Sequence, residues 1–229
     1  MYHSLLIIAV CIALSTTAQT YDPLLQPLQK HEISICYNSI YTVWNTKTPD
    51  DMKQYGEPKP GFGISFLFSK IMNRYINIQT GIMYHEMSYG LPIEKHKDYQ
   101  LHLTNLQIPL LAVFNTDKFC CINYSIFVGP QFTYNLSSSY IPPESALALR
   151  DTTHVILSVS PGDIGIAYGA GGDIAINKAK TMRIDIGYRG SLGFTDRSGN
   201  LEEANQVNII PQRTTINTFG GYLGFKMIF

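Results

Sequence analysis

Six charged residues stand in segments where every second residue is apolar and the positions between are small or polar: Glu32, Asp173, Arg183, Asp185, Arg189 and Lys226. Side chains two apart share one face of a β-strand, so charges set in this pattern project to the side opposite the apolar row. Three are acidic and three basic. Opposite charges crowded on a low-dielectric face should pair, because an unpaired buried charge costs about 3–5 kcal/mol. Two chemistries fit such a set: a salt-bridge plug that packs an interior, or a path for protons or ions. A second set is centred on histidine. His85, His96, His102 and His154, with Glu86, Asp98 and Asp163 nearby, could supply the base of a hydrolytic site. No serine or aspartate stands at a recognisable spacing from these histidines, and no Gly-rich phosphate loop, HExxH or CxxC occurs. Cys36, Cys120 and Cys121, the cysteines beyond the N-terminal apolar segment, are odd in number and lack metal-site spacing. They read as free thiols packed as small apolar residues. The sequence therefore points to no catalytic residue, no cofactor and no metal ligand.

The elements that must position these charges alternate with period 2. Eight segments carry apolar residues at every second position: 33–43, 62–68, 76–84, 106–114, 122–132, 164–176, 184–194 and 219–229. The last sets Phe219, Leu223, Phe225, Met227 and Phe229 on one face, with Gly220, Tyr222, Gly224 and Lys226 on the other. Leu101 and Leu103 precede the fourth row in the opposite parity, which predicts a bulge near Thr104 and Asn105. Pro109 and Pro130 fall inside the fourth and fifth segments, where a local bulge is expected at each. Short polar turns at 69–74, 115–118 and 177–180 alternate strictly with long connections at 45–59, 87–99, 135–162 and 195–213. The expected fold is all-β, an eight-stranded antiparallel up-and-down transmembrane β-barrel with short inner turns and long outer loops.

An eight-stranded barrel could also be a secreted, lipocalin-like calyx that turns its apolar rows inward to hold a small apolar ligand. Aromatic placement argues for the membrane. Tyr41, Phe62, Tyr84, Phe132, Phe194 and Phe219 end the apolar rows on one side, and Phe68, Phe114, Phe225 and Phe229 end them on the other. Two such belts fit the two interfaces of a bilayer. Residues 1–18 read as a signal peptide, with an apolar core from Leu5 to Leu14 and cleavage after Ala18. Residues 19–29 would form a short periplasmic segment and 30–229 the barrel domain. Strand direction would bring Glu32, Asp173, Arg183, Asp185 and Lys226 to the periplasmic end of the lumen. Inward Gly165, Gly169, Gly171, Gly220 and Gly224 would leave room for Tyr222, Arg189 and Phe127, filling the tube. Net charge is zero and charged residues are only 15% of the chain, so nucleic acid is not an expected partner. Expected partners are outer-membrane lipid, the barrel-assembly machinery that reads the C-terminal strand, and an envelope protein met through loops 45–59, 135–162 and 195–213. The expected role is structural or interactive, with a rim enzyme as the alternative within the membrane.

Several short motifs recur in an order that resembles the PorT-like outer-membrane β-barrel family of Gram-negative bacteria. They are Ile108-Pro109-Leu110-Leu111, Val128-Gly129-Pro130, Tyr168-Gly169-Ala170-Gly171, Tyr188-Arg189-Gly190 and the closing Gly221-Tyr222-Leu223-Gly224-Phe225. The resemblance runs from about Lys30 to Phe229. It implies the eight-stranded fold and the outer-membrane location. Through the family's founding member it also implies a place near protein secretion.

Overall fold

The computed structural model describes residues 31–47, 53–55, 59–90, 100–141, 157–159, 161–196, 198–201 and 213–229. The expected signal peptide and periplasmic segment lie outside the described residues, as do His96, His154, Asp98 and most of the outer loops. Eight long strands form the wall: β1 (His31–Lys47), β2 (Pro60–Ile71), β3 (Ile76–Gly90), β4 (Gln100–Asn115), β5 (Ile122–Ile141), β6 (Gly162–Ala175), β7 (Met182–Gly193) and β8 (Arg213–Ile228). Each pairs antiparallel with the next, and β8 returns to β1 to close the cylinder. The closing register runs from Glu32 opposite Ile228 to Lys47 opposite Arg213. His31 and Phe229 exchange backbone hydrogen bonds at 3.0 and 2.9 Å, so the chain's last residue is tied into the wall.

The apolar rows face outward. Ile35, Phe66, Ile82, Leu110, Ile126, Ile186 and Leu223 are each more than half exposed, while the alternate rows are buried. A calyx would show the reverse, with apolar side chains inside. Aromatic contacts tie the seam at both ends: Tyr41 stacks on Phe219 at 5.8 Å, and the His31 ring lies 6.0 Å from that of Phe229.

The strands run farther outward than the apolar rows do. β5 is 20 residues long, against the roughly 9–11 that cross a bilayer. Residues 87–90, 100–105 and 135–141, read from sequence as loop or irregular, continue the ladder. Hydrophobic alternation stops at the membrane surface, but backbone pairing does not depend on it. Two short strands from different outer connections, Leu157–Val159 and Ser198–Leu201, pair with one another, and Lys53–Tyr55 folds back on β1.

A register shift falls between Thr104 and Asn105, where the sequence places a bulge, but the extra residue is Leu136 on β5. β4 keeps its parity, so Leu103 points inward and is buried. The prolines cause no bulge. Pairing lapses between Thr80 opposite Leu110 and Met83 opposite Gln107, then resumes in the same register. It lapses again between Pro109 opposite Gln131 and Ala112 opposite Val128. A proline deletes one ladder donor without adding a residue, so the ladder skips and the register holds. The Thr80 hydroxyl donates to the Pro109 carbonyl at 2.8 Å beside the first gap.

Candidate functional site

The inward rows build the lumen in layers. At the periplasmic end, Asp173 on β6 receives three cations. Lys226 of β8 stands 3.2 Å away, Lys118 stands 3.6 Å away, and Arg183 of β7 pairs through its Nε. Lys226 also reaches Asp185 at 2.9 Å, and Lys118 pairs with Glu32 of β1. Asn123 donates to Asp173 at 3.1 Å, and Ser69 to Glu32 at 3.3 Å. Arg183 and Asp173 are fully buried, and Lys118 and Glu32 are 1% exposed. Three carboxylates face three cations, so the cluster is neutral. Neutrality and dense hydrogen bonding are the conditions under which buried charges can be tolerated.

Five of the six charges singled out in the sequence meet here; Arg189 does not. Its place is taken by Lys118, which the sequence reading assigned to a polar turn. The turn between β4 and β5 is clasped to the neighbouring one, with Lys118 N donating to Arg74 O at 2.9 Å and Arg74 pairing with Asp117 at 3.5 Å. Held there, the Lys118 side chain enters the barrel. The Arg183 guanidinium donates to the Cys120 carbonyl at 2.8 Å, so the same turn caps the network from below. The opposite turn is set by Asn177, whose side chain accepts from Met182 N and donates to Thr181, while Lys180 adopts the left-handed conformation at φ 57°.

Above the ions lies an apolar and aromatic layer of Cys36, Leu111, Val113, Phe127, Ala167 and Tyr222. Gly169 admits the Phe127 ring, and Gly171 and Gly187 admit the Tyr222 hydroxyl, where a Cβ would collide. Gly165 and Gly220 instead lie against neighbouring backbone, and Gly224 against Cys36. The Arg189 guanidinium covers this layer, 5.1 Å from the Phe127 ring centre and 5.3 Å from that of Tyr222. Its Nη1 lies 2.9 Å from the Met83 sulfur. Above Arg189 the lining turns polar, with Asn38, His85, Gln107, Gln131, Ser191 and Thr218 around two adjoining cavities. Met87, Leu103 and Ile216 are buried toward the outer end.

At the rim, Ser88 Oγ and His102 Nδ1 lie 2.9 Å apart across β3 and β4, a pairing the linear spacing did not disclose. Glu86 is engaged by the Tyr84 hydroxyl at 2.6 Å. His85, counted from sequence among the rim bases, is instead an inward residue that is 3% exposed. Among the described residues no cluster of His, Cys, Asp and Glu could hold a metal ion. Among the described residues, Cys36, Cys120 and Cys121 form no disulfide.

The model of the family described as Outer membrane protein beta-barrel domain matches residues 18–199. Among solved structures, neisserial surface protein A is similar over 87% of this chain and 97% of its own, with a TM-score of 0.50 at 10% identity. OprG from Pseudomonas aeruginosa is similar over 87% of this chain and 97% of its own, with a TM-score of 0.51 at 11% identity. At such identities the likeness is one of fold. No curated protein matches the sequence.

Proposed function

Because this chain belongs to the outer membrane protein beta-barrel domain family and lies in the outer membrane, we propose that it is a monomeric barrel with a sealed lumen that acts through its outer surface, as an accessory of a cell-envelope or secretion machine. The observation that carries this reading is the neutral cluster of Glu32, Lys118, Asp173, Arg183, Asp185 and Lys226, which fills the periplasmic end of the tube with paired charge. A sealed tube has no use as a pore. What then distinguishes the chain is the outer extension of the wall and the loops it carries. The PorT-like motifs in β4 to β8 favour the secretion-linked version of this role. Assembly through recognition of the closing strand, with Phe219, Leu223, Phe225, Met227 and Phe229 toward lipid, belongs to the same proposal.

The test is capture from intact outer membranes by a tagged barrel, before and after residues 142–156 are replaced by a Gly-Ser linker of equal length. Under this proposal an envelope protein is recovered with the natural chain and lost with the linker variant, while both variants insert equally. The same set of proteins from both variants would remove the outer loop from the account.

A further inference from the structure

Among the described side chains, the exposed charge at the periplasmic rim is of one sign. Lys70, near the end of β2, and Lys178, in the turn between β6 and β7, are exposed, and Lys180 of that turn is half-buried. Among the described residues none of the three has a carboxylate within salt-bridge distance. The acids described at this end are all withdrawn. Glu32, Asp173 and Asp185 lie inside the ionic cluster, and Asp117 is buried and held by Arg74. Lysines left without acidic neighbours set up a positive potential that gathers anions.

Their place on the wall selects the source of the anion. Lys70 continues the lipid-facing row of β2, two residues past Phe68, and stands opposite the outward Ile78 of β3. Lys178 likewise follows Ile174 and Ile176, both more than half exposed on the outer face. Each lysine therefore stands beside the barrel at the edge of the hydrocarbon, where its stem covers apolar surface and its head reaches the phosphates. Met72 and Tyr75, in the turn after Lys70, are each more than half exposed, which suits the headgroup layer better than open water. The two lysine-bearing turns, β2–β3 and β6–β7, lie on opposite sides of the eight-stranded ring. We propose that Lys70 on one side, and Lys178 with Lys180 on the other, seat the phosphodiesters of anionic phospholipids from the inner leaflet. A phosphatidylglycerol-type headgroup is preferred to a phosphatidylethanolamine type, whose own ammonium offsets its phosphate. Two such contacts, facing opposite ways, fix the depth and tilt of the barrel. This goes beyond the sealed-lumen role and stands whether or not the lumen conducts.

The experiment is mass spectrometry of the intact, refolded mature chain released from non-ionic detergent micelles, with phosphatidylglycerol or phosphatidylethanolamine of identical acyl chains added. The natural chain should retain phosphatidylglycerol about fivefold more tightly, the factor expected of one lysine at a lipid surface. Lys70→Gln combined with Lys178→Gln and Lys180→Gln should bind the two lipids alike. Lys70→Gln with Lys178→Gln, which leaves the left-handed turn position untouched, should already remove most of the preference. Lys47→Gln with Lys53→Gln takes two cations from the outer end, well beyond Tyr41, and should leave the preference intact. Equal binding of the two lipids by the natural chain would overturn the proposal and leave the lysines to water or to a periplasmic partner. An equal loss in the inner and outer variants would overturn it as well, by tracing the preference to total charge.

Discussion

Asp173 receives three cations, whereas Glu32 and Asp185 receive one each. Losing Lys118 therefore strands Glu32 with only the Ser69 hydroxyl, while Asp173 keeps Arg183 and Lys226. Lys118→Met should cost roughly 3–5 kcal/mol of stability, the scale for breaking a buried pair by removing one partner. Adding Glu32→Gln should recover more than half of that loss, since the stranded charge goes with it. Denaturant unfolding in micelles measures both; a single-mutant loss under about 1 kcal/mol would mean that Lys118 is solvated at its turn. This residue also marks the limit of what could be read in advance. Glu32, Asp173, Arg183, Asp185, Arg189 and Lys226 stand in regular rows and already balance three against three, so nothing in the count called for another cation. Lys118 stands in a polar turn, where lysine is ordinarily solvated. Only the clasp between Arg74 and the 116–121 turn directs it inward, and that is a tertiary contact with no local signature.

At the scale of the strand, alternation carried most of the architecture. Eight apolar rows, three short turns and the closing register follow from period 2, because each row must face lipid while its partner row fills a narrow tube. Strand ends were less legible, since polar residues beyond the membrane carry no alternation yet remain paired. The bulge was legible in place but not in its owner: the leucines of β4 pass from odd to even positions between Leu103 and Leu106 while the strand keeps its parity, and the inserted residue is Leu136 on β5. The closing strand offers a test of the lipid-facing row. Leu223→Arg sets a cation against hydrocarbon and should cost about 2–4 kcal/mol near the midplane. Deleting Phe229 removes about 1.5–3 kcal/mol of apolar burial, together with the terminal hydrogen bonds to His31. Its larger effect should be on assembly, with unfolded chain accumulating in the periplasm while the inserted fraction stays folded. Cell fractionation with heat-modifiability on gels reads both variants, and normal insertion and stability of both would reverse the inside and outside of β8.

Taken as one object, the molecule is a cylinder whose interior changes character along its axis. A paired ionic layer closes the periplasmic end, an aromatic layer with Arg189 stands above it, polar cavities follow, and buried Met87, Leu103 and Ile216 lie toward the outer end. Each layer uses a different means of filling space that an eight-stranded barrel barely provides. Glycines on β6 and β7 make the aromatic layer possible by removing Cβ atoms where Phe127 and Tyr222 must lie. Under the proposed sealed-lumen role, a barrel filled in this way transmits no ions and acts through its outer face. Single-channel recording in planar lipid bilayers addresses that claim most directly. The natural chain, inserted and folded, should give no conductance steps above baseline, and Lys118→Met combined with Glu32→Gln should stay closed because Asp173 remains paired with Arg183 and Lys226. A stable, ohmic channel from the natural chain would contradict the sealed lumen and return the charged layer to the role of an ion path.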